Sequence, residues 1–125
     1  MSTPGSARRV AVIGASADRR KFGNKAVRAF LRQGYDVVPI NPHEARVEGL
    51  TAYRSVLDVP GAIDMATLYV SPETGLQVIE EIARKGIHEV WLNPGAESPA
   101  LMAAAQALGL SPIEACSIVA IGETP

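Results

Sequence analysis

The sequence predicts an α/β domain on a doubly wound, mostly parallel sheet, and three observations carry that prediction. Apolar runs of strand length alternate with amphipathic helical stretches along the chain, with no repeat and no low-complexity segment. The runs are apolar on both faces, as strands covered from both sides must be. Two helical stretches open on Ser-Pro (71–72 and 98–99) and close on glycine, as crossover helices do.

At 125 residues, 47% hydrophobic and 20% charged, the chain fits one domain whose core needs neither disulfide nor metal. A net charge of −1 gives no bulk electrostatic case for nucleic acid or membrane binding. A single cysteine, Cys116, excludes an internal disulfide and suits a reducing compartment. No apolar run approaches the roughly 20 residues that span a bilayer, and MSTPGSARR lacks the apolar region of a signal peptide. Residues 1–7 are therefore expected to be a flexible tail and 8–125 a single cytoplasmic domain.

Residues 9–14 (RVAVIG) are the first strand, rich in β-branched side chains. Residues 24–33 follow as a helix, with Ala26, Val27, Phe30 and Leu31 on one stripe. Asn24 caps its start and Gly34 takes the C′ position. Residues 36–40 (DVVPI) are the second strand, and Pro39 suits a ladder that is interrupted or ending. Asn41-Pro42 turns the chain into a polar, irregular stretch (43–53) with a short edge strand at 50–53. Residues 55–59 make a helical turn halted by Pro60-Gly61.

Residues 64–70 (DMATLYV) form the next buried strand. The helix from Ser71-Pro72 carries Leu76, Ile79, Ile82 and Ala83 inward and closes at Gly86. Residues 89–92 (EVWL) are a strand, and the loop 93–97 leads to the helix begun at Ser98-Pro99. That helix faces Leu101, Met102, Ala105 and Leu108 inward and ends at Gly109. Residues 112–115 are the last strand, before an apolar tail at 118–121. Right-handed crossovers make this a Rossmann-like sheet of expected order 3-2-1-4-5-6, counting 50–53 as the third strand.

Ligands of such sheets bind beyond the carboxyl ends of the strands, where the order reverses. There the chain places Gly14-Ala15-Ser16, Asn41-Pro42-His43, Ser71-Pro72 and Asn93-Pro94-Gly95. Turns favour such residues without any ligand, but the first loop offers more. It is approachable at Gly14, Ala15 and Ser16 and leads into a helix N-terminus. Arg19, Arg20 and Lys21 crowd it, so it suits a ligand with several negative charges. A dinucleotide site usually carries an acidic residue after the second strand to bind the ribose. Asn41-Pro42-His43 stands there instead, which favours a ribose bearing its own phosphate: coenzyme A or NADP, between which spacing does not choose.

VAVIGAS, KFGNKAVRAFLRQGYDVVPINP, YRSVLDVP, DMATLYVSPE and WLNPGAES, in that order, resemble the small stand-alone CoA-binding proteins. They are similar also to the CoA-binding domain of the succinyl-CoA synthetase α-subunit and of ADP-forming acyl-CoA synthetases. The resemblance runs from about Arg9 to Ile121. It implies that Gly14, Ala15 and Ser16, with Lys21, Phe22, Gly23 and Asn24, cradle CoA phosphates. Asn41 and Pro42 would lie against the adenosine. Val70, Ser71 and Pro72 would line the ligand's path, and Asn93, Pro94 and Gly95 would face its other end. Members often carry a basic residue where His43 stands, so Arg46 is the other source of a 3′-phosphate contact. The synthetases' phosphorylated histidine belongs to a domain outside this sequence, so their activity does not carry over.

The residues show no metal-ligand spacing and no nucleophile-elbow or triad pattern. His88 reads as a surface turn residue and Glu80, Glu81 and Glu97 as solvated charge. Cys116 reads as a buried, inert thiol, the alternative being a thiol near the ligand able to form a mixed disulfide with CoA. The expected function is non-catalytic binding of CoA or an acyl-CoA, as a sensor or as a module for an acyl-CoA enzyme partner. The competing expectation is a small NADP-type redox protein. The apolar tail allows a homodimer, a further strand or packing on the chain's own sheet.

Overall fold

The computed structural model describes residues 7–125, so the tail expected at 1–7 lies, but for residue 7, outside the described residues. Five parallel strands form the sheet: β1 (Arg9–Ile13), β2 (Asp36–Ile40), β5 (Met65–Leu68), β6 (Glu89–Leu92) and β7 (Ser111–Glu114). Their order is β2-β1-β5-β6-β7. The helices are α1 (Phe22–Arg32), α2 (Pro72–Lys85), α3 (Pro99–Ala107) and the short α4 (Ser117–Ala120).

Period-two alternation along the strands builds two core layers. Ala11, Ile13, Ala66 and Leu68 face α2, α3 and a 3₁₀ turn at Val56–Asp58. Val10, Val12 and Met65 face the other way, against Ala26, Val27 and Phe30 of α1 and Ile118 of α4. The doubly wound class thus follows from strands apolar on both faces.

The strand order departs from expectation at one edge. Residues 50–53 do not join the sheet as a third strand. Leu50–Thr51 (β4) pairs antiparallel with Arg46–Val47 (β3), and only Tyr53 makes a single parallel bridge to Ile40. The reason lies in β2. Asp36 and Ile40 bond toward β1, whereas Pro39 O accepts from Tyr53 and Asn41 N–H donates to it, both on the outer side. Pro39 therefore offers its missing N–H to the outer edge, where no ladder can propagate. The β3–β4 turn, Glu48-Gly49, has both residues at positive φ (49° and 78°), the geometry of a type I′ hairpin.

Helix signals were read well and helix faces less so. Ser71 Oγ accepts from Thr74 N–H at 3.3 Å and Ser98 Oγ from Leu101 N–H at 3.0 Å, each before a first-turn proline. Leu31, Leu76 and Leu108, expected inside, are all exposed, while Ala29 and Gly75 are buried. Gly75 takes an inner position because α2 packs closely on α3: a Cβ there would stand 2.8 Å from Leu101 Cδ2. Nor does the tail add a strand, since α4 buries Ile118 completely in the chain's own core.

Candidate functional site

The carboxyl ends of the strands open into one cavity of about 690 Å³. Its first wall is the turn after β1. Gly14 has φ +87°, and its amide and that of Ala15 both donate to Ile40 O, at 3.1 and 3.2 Å. Gly14 and Ser16 line the cavity, whereas Ala15 is fully buried beneath them. Ser16 Oγ accepts from Asp18 N–H at 3.0 Å and so shapes the next turn.

Lys21, Phe22 and Gly23 continue the lining, with Gly23 seated against the Gly14 turn. The helix starts two residues earlier than its sequence suggests, with Lys21 as N-cap in extended conformation and no side chain capping it. Asn24 and Lys25 amides both donate to Lys21 O, but the amides of Phe22 and Gly23 donate to nothing among the described residues. No acidic side chain occupies that first turn. In α2 and α3 a serine caps one first-turn amide and a proline removes another, leaving only Glu73 and Ala100 open among the described residues. α1 keeps two adjacent open donors, with the positive end of its dipole at the cavity.

The asparagines expected to meet ligand also hold the loops in place. Asn24 is fully buried: its amide donates to Ser16 O (2.8 Å) and Glu48 Oε2 (3.0 Å), and its Oδ1 accepts from Arg28 Nε (2.8 Å). Asn41 lines the cavity, yet it donates to Ala15 O at 2.7 Å and accepts from the His43 and Glu44 amides. Asn93 donates to Thr67 Oγ1 (2.6 Å) and Leu68 O (2.9 Å) and accepts from Ser117 N–H (2.8 Å). Ser117 Oγ also meets Thr67 Oγ1 and the Tyr69 hydroxyl. Burial pushes the Tyr69 phenol above its ordinary pKa, against the lowering effect of its Ser117 hydrogen bond. The result is a saturated polar layer under the cavity floor.

The basic cluster divides. Lys21 alone of the three lines the cavity, and it has no ion-pair partner among the described residues. Arg19 lies 3.4 Å from Glu48, and Arg20 is tied to Asp18 at the surface. The Arg20 guanidinium, and after it the Arg20 amide, hold the Asp18 carboxyl down to about 2. A depressed carboxyl contributes stability that is complete above its unfolded pKa and is lost as pH falls through the folded value. An NMR titration should therefore find Asp18 at a midpoint near 2. Arg20→Ala should raise it only part of the way back, since the amide of residue 20 still donates to the carboxylate; an unmoved midpoint would exclude the guanidinium as a cause.

Val70, Ser71, Asn93, Pro94 and Gly95 line the cavity as well, and so does Pro125, which no sequence signal marked. Pro42, His43 and Pro72 do not line it, and Arg46 donates to Gly49 O within its own hairpin. Sequence reasoning missed Tyr69 and Ala96, neighbours of residues it named, and placed Cys116 in the core. The thiol is half-buried and lines the cavity, because α4 turns back across the sheet directly after β7. His88 is exposed, as expected.

A parallel sheet with helices on both faces and open helix-start donors over its switch point is the arrangement of Rossmann-like α/β domains. The chain belongs to the CoA binding domain family, whose model matches residues 8–122. It is similar to the α subunit of ADP-forming acetate–CoA ligase II of Pyrococcus furiosus, 38% identical over 84 residues. Those residues are 66% of this chain but only 18% of that subunit. A conserved hypothetical protein of P. furiosus has the same fold, with TM-score 0.83 and 33% identity over 90% of this chain and 98% of its own. The acetyl-coenzyme A synthetase 1 of Ca. Korarchaeum cryptofilum, solved with phosphate and ADP, matches at TM-score 0.76 and 30% identity. The match covers 86% of this chain and 25% of the synthetase. No helix among the described residues is long and apolar enough to cross a membrane.

Proposed function

We propose that the chain binds coenzyme A, free or as a thioester, without transforming it. It would act in the cytoplasm as a sensor or as a module for an acyl-CoA enzyme partner. The observation that carries this reading is the pair of open amides at Phe22 and Gly23 beside Lys21, in a cavity that no acidic side chain lines. Family membership supplies the ligand class. The groups left to meet a ligand are main-chain amides, the Ser16 hydroxyl and one ammonium; they bind and orient anions. An NADP-type ligand gains no support from the comparisons. Of the apolar tail on which a homodimer would rest, Ile118 packs internally and Val119 stays exposed.

Thermal unfolding with CoA, dephospho-CoA, NADP and NAD tests the reading. CoA at 100 times its dissociation constant adds about 2.7 kcal/mol, a visible rise in melting temperature. Lys21→Ala should weaken CoA roughly tenfold or less, the scale of one charge-assisted hydrogen bond. Stabilisation by NADP and not by CoA would overturn the proposal.

A further inference from the structure

We propose that Glu48 is a positioning residue that couples the loop between β1 and α1 to the β3–β4 hairpin, so that cavity occupancy and hairpin order rise together. This rests on the CoA-binding reading and gives its sensor form a responding surface outside the cavity. Among the described residues Glu48 is the one non-glycine at positive φ (49°). It takes the first central position of the type I′ turn, where Asn, Asp or Gly is the usual residue. A residue with a Cβ is strained in that conformation, and such strain persists where the surrounding contacts hold it.

What holds it is the loop across from it. The Glu48 side chain is 22% exposed; its Oε2 accepts from Asn24 Nδ2 at 3.0 Å and stands 3.4 Å from Arg19 Nε. Asn24, fully buried, is the hub of that loop. Its amide also donates to Ser16 O, and its Oδ1 accepts from Arg28 Nε. Arg28 Nη2 in turn donates to Arg19 O at 2.9 Å. The loop that brings Lys21 to the cavity is thus pinned at Ser16 and Arg19 through Asn24 and Arg28, and Glu48 ties this assembly to a separate segment of chain.

The hairpin itself is slight: β3 and β4 have two residues each, and Val47 and Leu50 pack on the layer that holds Ala26 and Val27 of α1. No residue from 42 to 52 lines the cavity, so a response there travels through Glu48 and not through ligand contact. A ligand that orders the loop then orders the hairpin, and a hairpin cut from the loop weakens the ligand, because coupling is reciprocal. Charge alone has the opposite sign, since removing a carboxylate near an anion site raises anion affinity. A loss of affinity on removing Glu48 is therefore the mark of positioning.

Titration calorimetry and hydrogen exchange on the full chain, as wild type, Glu48→Ala and Glu48→Gln, with and without CoA, test this. CoA should slow exchange at residues 46–52 of the wild type. Glu48→Ala should lose that protection and bind CoA roughly fivefold more weakly or worse, the lower range of coupling between sites. Glu48→Gln keeps an oxygen for Asn24 without the charge and should keep both properties. Undiminished affinity in Glu48→Ala, or an equal loss in Glu48→Gln, would overturn the positioning role. Hairpin exchange that ignores bound CoA would overturn the coupling. If CoA binds none of the three, the CoA reading fails, and the free proteins still decide the clamp. Amides at residues 17–21 should exchange faster in Glu48→Ala than in the other two, and equal rates would sink it.

Discussion

Gly23→Ala is expected to destabilise the fold and abolish tight CoA binding together. A Cβ at this position would stand 2.1 Å from Gly14 O and 3.0 Å from Gly14 C, both backbone atoms that cannot swing aside. α1 must then lift from the β1 turn. Overpacking of this kind costs roughly 1–3 kcal/mol, occasionally more. The displacement also carries the Phe22 and Gly23 amides away from the Gly14–Ser16 wall, so affinity should fall at least about tenfold. Gly95→Ala provides the contrast. It has φ +93° but nothing within 4 Å, so it bears only the left-handed strain of roughly 1–2 kcal/mol. Urea unfolding with titration calorimetry on both variants checks this. Native stability and affinity in Gly23→Ala would show that α1 does not need its close seat on the turn.

Asn93→Ala should be the most damaging polar substitution. It strips partners from Leu68 O and from Ser117 N–H, both covered by the core. Each unmet buried group costs roughly 1–3 kcal/mol, so a loss of about 3 kcal/mol is expected. The loss has a place as well as a size: Ser117 begins α4, so hydrogen exchange should quicken from Ser117 through Ile121. Uniform quickening across the whole sheet would show instead that the network supports the entire domain.

These two sites were legible to different degrees. Gly23 enters through the family resemblance, next to the Asn24 that marks a helix start, and Gly14 as the glycine closing a strand. The reason Gly23 is needed could not be seen there, because it lies in the approach of α1 to a turn nine residues earlier in sequence. The late Asn-Pro-Gly loop is marked by its place after a strand and by the family resemblance. Its asparagine could not be assigned to the floor of the cavity, because its partner Ser117 sits 24 positions away on a helix not foreseen. The misplaced leucines have the same origin. Periodicity marks an apolar stripe about one third of a helix wide, but the depth of contact on the sheet decides which edge of it is covered.

By itself the sequence determined the kind and order of the elements and the loops that meet at one edge. Alternation, Ser-Pro starts and terminal glycines act within a turn or two of the chain, so they can be read without a fold. Only the tertiary structure decided which residues in those loops face a ligand. Asn24, Asn41 and Asn93 look alike as candidate binders in a linear reading. Folding sets their amides against Ser16 O, Ala15 O and Leu68 O, 8, 26 and 25 residues away. A carbonyl lifted out of water must be paired, so these side chains became supports. The open donors passed to Phe22 and Gly23, whose amides a helix start leaves without partners.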